Sequence, residues 1–241
     1  MIRKIIIFLL LLLNKLLTII LCLLLIIIIF ICTYAIYDSY QIYDSVKIDK
    51  FLSSAIDEET NEVDFEYLDN ENIIGWINIF ETGINYPILK SNDNKYYLNK
   101  DYNGKYSDAG SIFLDYRNNT FKDEYSIIYG HNLSYGGMFS DIKKYKNKEF
   151  FNNHLNGSLQ IRDNKYDIEI LFFAKINAYD IVYNLNDVKN DSKLVYDFIK
   201  VKSKYINKNS KYNNKLLMLS TCNDARSNNR LILLCSIKNS S

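Results

Sequence analysis

A chain of 241 residues with a formal net charge of +1 has neither the basic excess that draws a protein onto nucleic acid nor a strongly acidic tail. Its 48% hydrophobic content, with 15% aromatics and a single proline, excludes disorder and leaves room for one packed body plus additions. Twenty-one tyrosines favour strands in that body.

The N-terminus comes first. Between Ile5 and Ile36 the only clearly polar positions are Asn14, Lys15, Thr18 and Thr33, and no acid precedes Asp38. Residues 16–36 alone would make about 30 Å of helix, enough to cross a bilayer. The stretch is too long for a cleaved signal peptide and no small-residue cleavage site follows it, so residues 1–37 are expected to form a cytoplasmic tip and an uncleaved signal-anchor. Arg3, Lys4 and Lys15 precede the span, which keeps that side in the cytoplasm and sets the body outside the cell membrane. Cys22 and Cys32 fall within the span. Cys222 and Cys235 therefore face an environment in which disulfides persist.

Residues 38–70 are expected to be an extracellular helical region. A helix over 37–55 has Tyr40, Tyr43, Lys47 and Phe51 on one stripe, and a shorter one covers 64–70. From residue 71 onward the pattern is that of strands. Residues 73–80 and 84–89 flank a turn at Glu81, with Pro87 demoting the second strand toward an edge. A short helix or turn follows at 93–100. Short strands are expected at 110–116, 125–130 and 157–163, and a long, bent one at 167–179. Met138, Phe139, Ile142 and Tyr145 recur at helical spacing, and 191–205 reads as an amphipathic helix on Leu194, Val195, Phe198, Ile199 and Val201. Strands at 215–220 and 230–237 close the chain. The prediction is a mostly β fold: a closed or nearly closed barrel with helical additions.

Three residues draw attention as chemistry. Cys222 ends the apolar run that begins at Lys215, where a thiol serves equally as a core residue, a disulfide partner of Cys235 or a nucleophile. His131 follows a strand and a glycine and precedes the Gly136–Gly137 loop, a usual place for catalytic groups, whereas His154 lies in a polar turn. Arg230 opens the last strand and would stand beside Cys222 if the two strands pair antiparallel. There a guanidinium supports a thiolate and hydrogen-bonds a developing oxyanion. Arg226 reads as a solvated loop charge. The cysteine and histidine spacings do not match a compact zinc site, and no metal or other cofactor is expected. Cys235, five residues along its strand, is poorly placed to bond Cys222.

The motif L219-S-T-C222, the segment Y129-G-H131-N and Arg230 resemble the cysteine, histidine and arginine signatures of sortases. The likeness extends through N72-I-I-G-W-I-N-I, I84-N-Y-P-I-L, Y96-Y-L-N, G110-S-I-F-L-D-Y-R and M138-F-S-D-I-K-K-Y, over about residues 64–237, and is similar to class B of that family. It implies a closed eight-stranded barrel at 71–241, with N-terminal helices and a helix before the cysteine strand. It also implies a cysteine transpeptidase outside a Gram-positive-type membrane. Such an enzyme cuts the C-terminal sorting signal of a secreted protein and transfers the new carboxyl end to a peptidoglycan cross-bridge amine. Cys222 would be the nucleophile, His131 the proton carrier and Arg230 the oxyanion partner, with Tyr129, Asn132, Ser220, Thr221 and Asp224 as supporting residues. Pilus-type polymerisation, simple peptide hydrolysis and an anchored binding protein with an inert Cys222 are the alternatives.

Overall fold

The computed structural model describes residues 1–46, 50–57, 59–222 and 228–240; at residues 41–46, 50 and 222 the description is confined to the backbone. The chain divides into two units, Met1–Asp44 and Ser45–Ser241, taken here one at a time. The first is helical. α1 runs Ile2–Val46, so the expected span and the first part of the expected following helix are one element. Its stretch Ile2–Tyr40 is long and apolar enough to cross a membrane, with its side chains exposed.

The second unit opens with α2 (Lys50–Ser54) and α3 (Phe65–Leu68). Asp64 caps α3, its carboxylate accepting from the Glu66 and Tyr67 N–H groups. Strands β1 (Ile73–Ile79) and β2 (Asn85–Leu89) form a hairpin whose turn sets Glu81 at φ 60°. β3 (Phe113–Leu114) meets β2 only at Leu89, so Pro87 lies on a stretch of β2 with one partner strand, where its missing N–H costs nothing. Then come β4 (Tyr125–Tyr129), α4 (Lys148–Asn153), β5 (Asn156–Ile161) and β6 (Asn164–Asn177). α5 (Leu185–Val188) and α6 (Ser192–Lys202) precede β7 (Ser203–Ile206), β8 (Leu216–Cys222) and β9 (Asn229–Asn239).

The sheet order is β5-β1-β2-β3-β4-β8-β9-β6-β7, and a β5–β6 pairing closes eight of these strands into a mixed barrel. β6 is long because it serves two neighbours on one edge. Its first half pairs with β5 and its second, from Phe172, with β7, which hangs outside the ring.

The apolar runs in β8 and β9 are continuous rather than alternating because both faces are covered. Leu217, Leu219, Leu231, Leu233 and Cys235 fill the barrel interior. Leu216, Met218, Ile232 and Leu234 pack outward under Leu185 and Val188 of α5 and Val195 and Ile199 of α6. Each such buried aliphatic side chain contributes about 1.5–3 kcal/mol. Of the stripe expected on α6, Leu194 and Val201 are exposed instead, near the two ends of the helix.

Two other expectations change. Residues 138–145 are not an α-helix: Ser140–Lys146 is a 3-10 segment, and its buried Phe139, Ile142 and Tyr145 recur every third residue, the 3-10 period. The strand expected at 110–116 shrinks to Phe113–Leu114, because Gly110 turns at φ 60° and Ser111 is bonded to the Tyr97 carbonyl.

Candidate active site

β4 and β8 run parallel with Tyr129 beside Ser220, so the chain leaves β4 at the rim where β8 ends. The Gly130 N–H extends the pairing by donating to the Ser220 carbonyl at 3.2 Å, and His131 follows. Only glycine fits at 130, since a Cβ there would meet the Phe139 ring at 2.8 Å. The antiparallel β8–β9 register sets Cys222 opposite Arg230. Backbone register thus brings His131 to the rim shared by Cys222 and Arg230, from about ninety positions away.

Nε2 of His131 lies 2.6 Å from the Leu98 carbonyl oxygen. A carbonyl only accepts, so Nε2 carries the hydrogen and Nδ1 holds the lone pair of the neutral ring. Leu98 ends the 3-10 turn Tyr96–Leu98. At Gly110 a side chain would come within 2.5 Å of that same carbonyl oxygen, so glycine there keeps the acceptor where the histidine meets it.

A cavity of about 340 Å³ opens at this rim. His131, Arg230, Tyr129, Ser220 and Thr221, all singled out from sequence, line it together with Leu98, Tyr183, Asn94 and Arg117. Arg230 is half-buried, with Nη1 donating to the Asn229 carbonyl at 3.2 Å. Ser220 Oγ shares a 2.8 Å hydrogen bond with the Tyr183 hydroxyl. Among the described residues, the buried Thr221 hydroxyl has no hydrogen-bond partner. Asn132 is not among the lining residues; it is bridged through its backbone to Met138. Asp224 and Arg226 lie outside the described residues.

Cys235 stands opposite Leu217, five residues before the Cys222 end of β8, or about 17 Å along the strand. That excludes a disulfide between the two in this register. Cys235 is a free, buried thiol, and burial pushes its pKa up. Among the described residues, no group of three or more His, Cys, Asp and Glu is arranged to hold a metal ion.

Sequence reasoning assigned no role to Asp115 and Arg117. Burial alone would raise the Asp115 carboxyl, but hydrogen bonds from the Arg117 side chain and backbone and from Asn94 more than offset it, holding the group below its ordinary value. The Arg117 guanidinium is in turn raised, first by its hydrogen bonds to Asp115. Their local trace is an acid and an arginine two apart directly after the apolar Ile112–Leu114 run, which by itself does not distinguish them from an ordinary turn.

The family description "Sortase domain" matches residues 77–238. The chain belongs to the sortase family. Sortase B of Listeria monocytogenes is 39% identical over 158 residues, which are 64% of this sortase and 63% of that relative; the match thus spans just under two thirds of the relative's length. Among solved structures, the Staphylococcus aureus sortase B–substrate complex superposes with a TM-score of 0.67 at 31% identity, covering 74% of this sortase and 86% of that chain. A Streptococcus pyogenes class B sortase involved in pilus biogenesis superposes with a TM-score of 0.64 at 34% identity, covering 70% and 94%. The eight-stranded barrel of this sortase is that of the class B structures, and the matched segment takes in β4, β8 and β9, the strands from which the rim is built.

Proposed function

We propose that this sortase is a membrane-tethered cysteine transpeptidase acting on sorting-signal peptides of secreted proteins. The observation that carries the reading is the β4–β8–β9 register, which brings His131, Cys222 and Arg230 to one rim beside the cavity. In this reading the Cys222 thiol passes its proton to Nδ1 of His131, and the sulfur attacks the scissile carbonyl. Arg230 donates to the oxyanion. The C–N bond breaks as His131 returns the proton to the departing amine, leaving a thioester on Cys222. An incoming amine, of a peptidoglycan cross-bridge, loses a proton to His131 as it attacks, and the thiol is regenerated. Tyr129, Ser220 and Thr221 shape the wall around these atoms.

Whether amine or water ends the cycle is read directly from the products. A panel of sorting peptides is incubated with and without an added peptide amine and resolved by mass spectrometry. Amine-dependent formation of a ligated product is expected; hydrolysis alone at high amine would make the protein a peptidase. The likeness to a pilus-associated sortase favours a second acceptor, an amine of another secreted protein, and the same assay with a protein acceptor distinguishes it.

The tether rests on the apolar stretch Ile2–Tyr40 and the basic residues Arg3, Lys4 and Lys15 on its N-terminal side. The full chain is expected to sediment with membranes and to need detergent for release, with its barrel open to external protease in whole cells. A chain shortened to begin at Ser45 is expected to be soluble and folded. Full-length protein in the detergent-free soluble fraction would overturn the tether.

A further inference from the structure

Asp115 lies just after β3, wholly buried, and takes no part in the chemistry above. Its Oδ1 accepts from the Arg117 backbone N–H at 3.0 Å and from Arg117 Nε at 2.9 Å. Its Oδ2 accepts from Arg117 Nη2 at 2.7 Å, Asn94 Nδ2 at 2.8 Å and the Tyr129 hydroxyl at 3.1 Å. Asn94, Arg117 and Tyr129 come from three separate segments, and all three line the cavity beside His131 and Arg230. Asn94 is fixed a second time, its Oδ1 accepting from the Tyr116 N–H at 3.0 Å.

A buried ion pair is a poor source of stability, since apolar residues of similar volume often do as well. What this carboxylate does provide is direction. With both Asn94 bonds spent on fixed partners, one amide hydrogen remains on Nδ2, and Arg117 keeps both hydrogens on Nη1. Asp115 itself is saturated and sealed from the cavity. The wall it organises therefore offers mainly donors, and the matching groups on a peptide are its carbonyl oxygens.

We propose that Asp115 is a positioning residue for the substrate: one buried carboxylate aligns Asn94 and Arg117 into a donor wall that receives the carbonyl oxygens of the bound peptide, with Tyr129, whose hydroxyl hydrogen is spent on Asp115, fixed beside them. The role rests on the transpeptidase reading and concerns binding at the same cavity rather than bond breaking. Its mark is accordingly on KM.

The test is steady-state cleavage by Asp115→Asn of a sorting peptide that the wild type turns over. The amide keeps the size of the side chain but cannot accept the Arg117 fork at both oxygens. KM is expected to rise by about tenfold or more while kcat stays within about threefold. The rate at which a small thiol reagent labels Cys222 is expected to be unchanged. A purely structural role would instead lower kcat and the labelled fraction together at constant KM. Crossing Asp115→Asn with Asn94→Ala adds a second reading: if Asp115 acts through Asn94, the double variant is no worse than Asp115→Asn alone. Should circular dichroism show Asp115→Asn unfolded, Asn94→Ala, which leaves the Asp115–Arg117 pair standing, carries the KM measurement. Unchanged KM in the folded variants, or fully additive losses, would overturn the proposal. Turnover by the wild type tests the transpeptidase reading on its own, so a KM-neutral Asp115→Asn in that active background counts against Asp115 alone.

Discussion

Cys222→Ala is expected to abolish peptide cleavage and amine transfer alike, while Cys235→Ala leaves both largely intact. The two thiols differ in place, not in chemistry. Cys222 is the last residue of β8, paired with Arg230 at the rim, whereas Cys235 is opposite Leu217 inside the barrel, with burial opposing its ionisation. Removing a covalent nucleophile from an assembled site costs on the order of 10⁶-fold in kcat. Trimming the buried Cys235 removes one sulfur from the core, at about 1 kcal/mol of stability and no chemistry. Mass spectrometry of the intact protein mixed with a cleaved peptide is expected to trap an adduct on Cys222 that hydroxylamine releases. An adduct on Cys235, or full turnover by Cys222→Ala, would overturn the assignment of Cys222 as the nucleophile.

Arg230→Ala is expected to lower kcat/KM by about 100-fold, near 3 kcal/mol, at unchanged fold, the cost of losing one oxyanion donor. The register argument separates it from its neighbour. Arg230 lies in the ladder opposite Cys222 and its side chain lines the cavity, while Arg226 belongs to the connection between the two strands. Arg226→Ala is therefore expected to cost much less. Paired kinetic measurements on the two variants, with circular dichroism as the control, decide it. Equal losses, or a larger one at Arg226, would mean that the wrong guanidinium has been assigned to the oxyanion.

The catalytic candidates were legible because strand ends leave punctuation. An apolar run stops at Ser220–Thr221–Cys222, another begins at Arg230, and a glycine separates β4 from His131. Local pattern carries that much. The Asp115 cluster was not legible, since Asn94, Asp115 and Tyr129 meet only after the barrel closes, and each alone reads as a turn former or a core aromatic. The 3-10 segment at Ser140–Lys146 was misread for a related reason: four apolar positions fit a period of 3.6 as well as one of 3.0 until burial selects Phe139, Ile142 and Tyr145. The length of β6 was anticipated, but its exchange of β5 for β7 along one edge was not, because pairing partners leave no mark on a single strand.

The rim has a consequence for the order in which the chain assembles. Cys222 and Arg230 are eight positions apart and are joined by one hairpin, whereas His131 reaches the same rim through a parallel pairing across 91 positions (131 to 222). Closing a short connection costs less entropy than closing a long one, so the hairpin forms at lower cost than the β4–β8 contact. A half-folded chain would then pair residue 222 with Arg230 while His131 is still away from the rim. In the proposed reading, acyl transfer waits on the β4–β8 closure, which makes completion of the barrel a safety catch against untimely acylation.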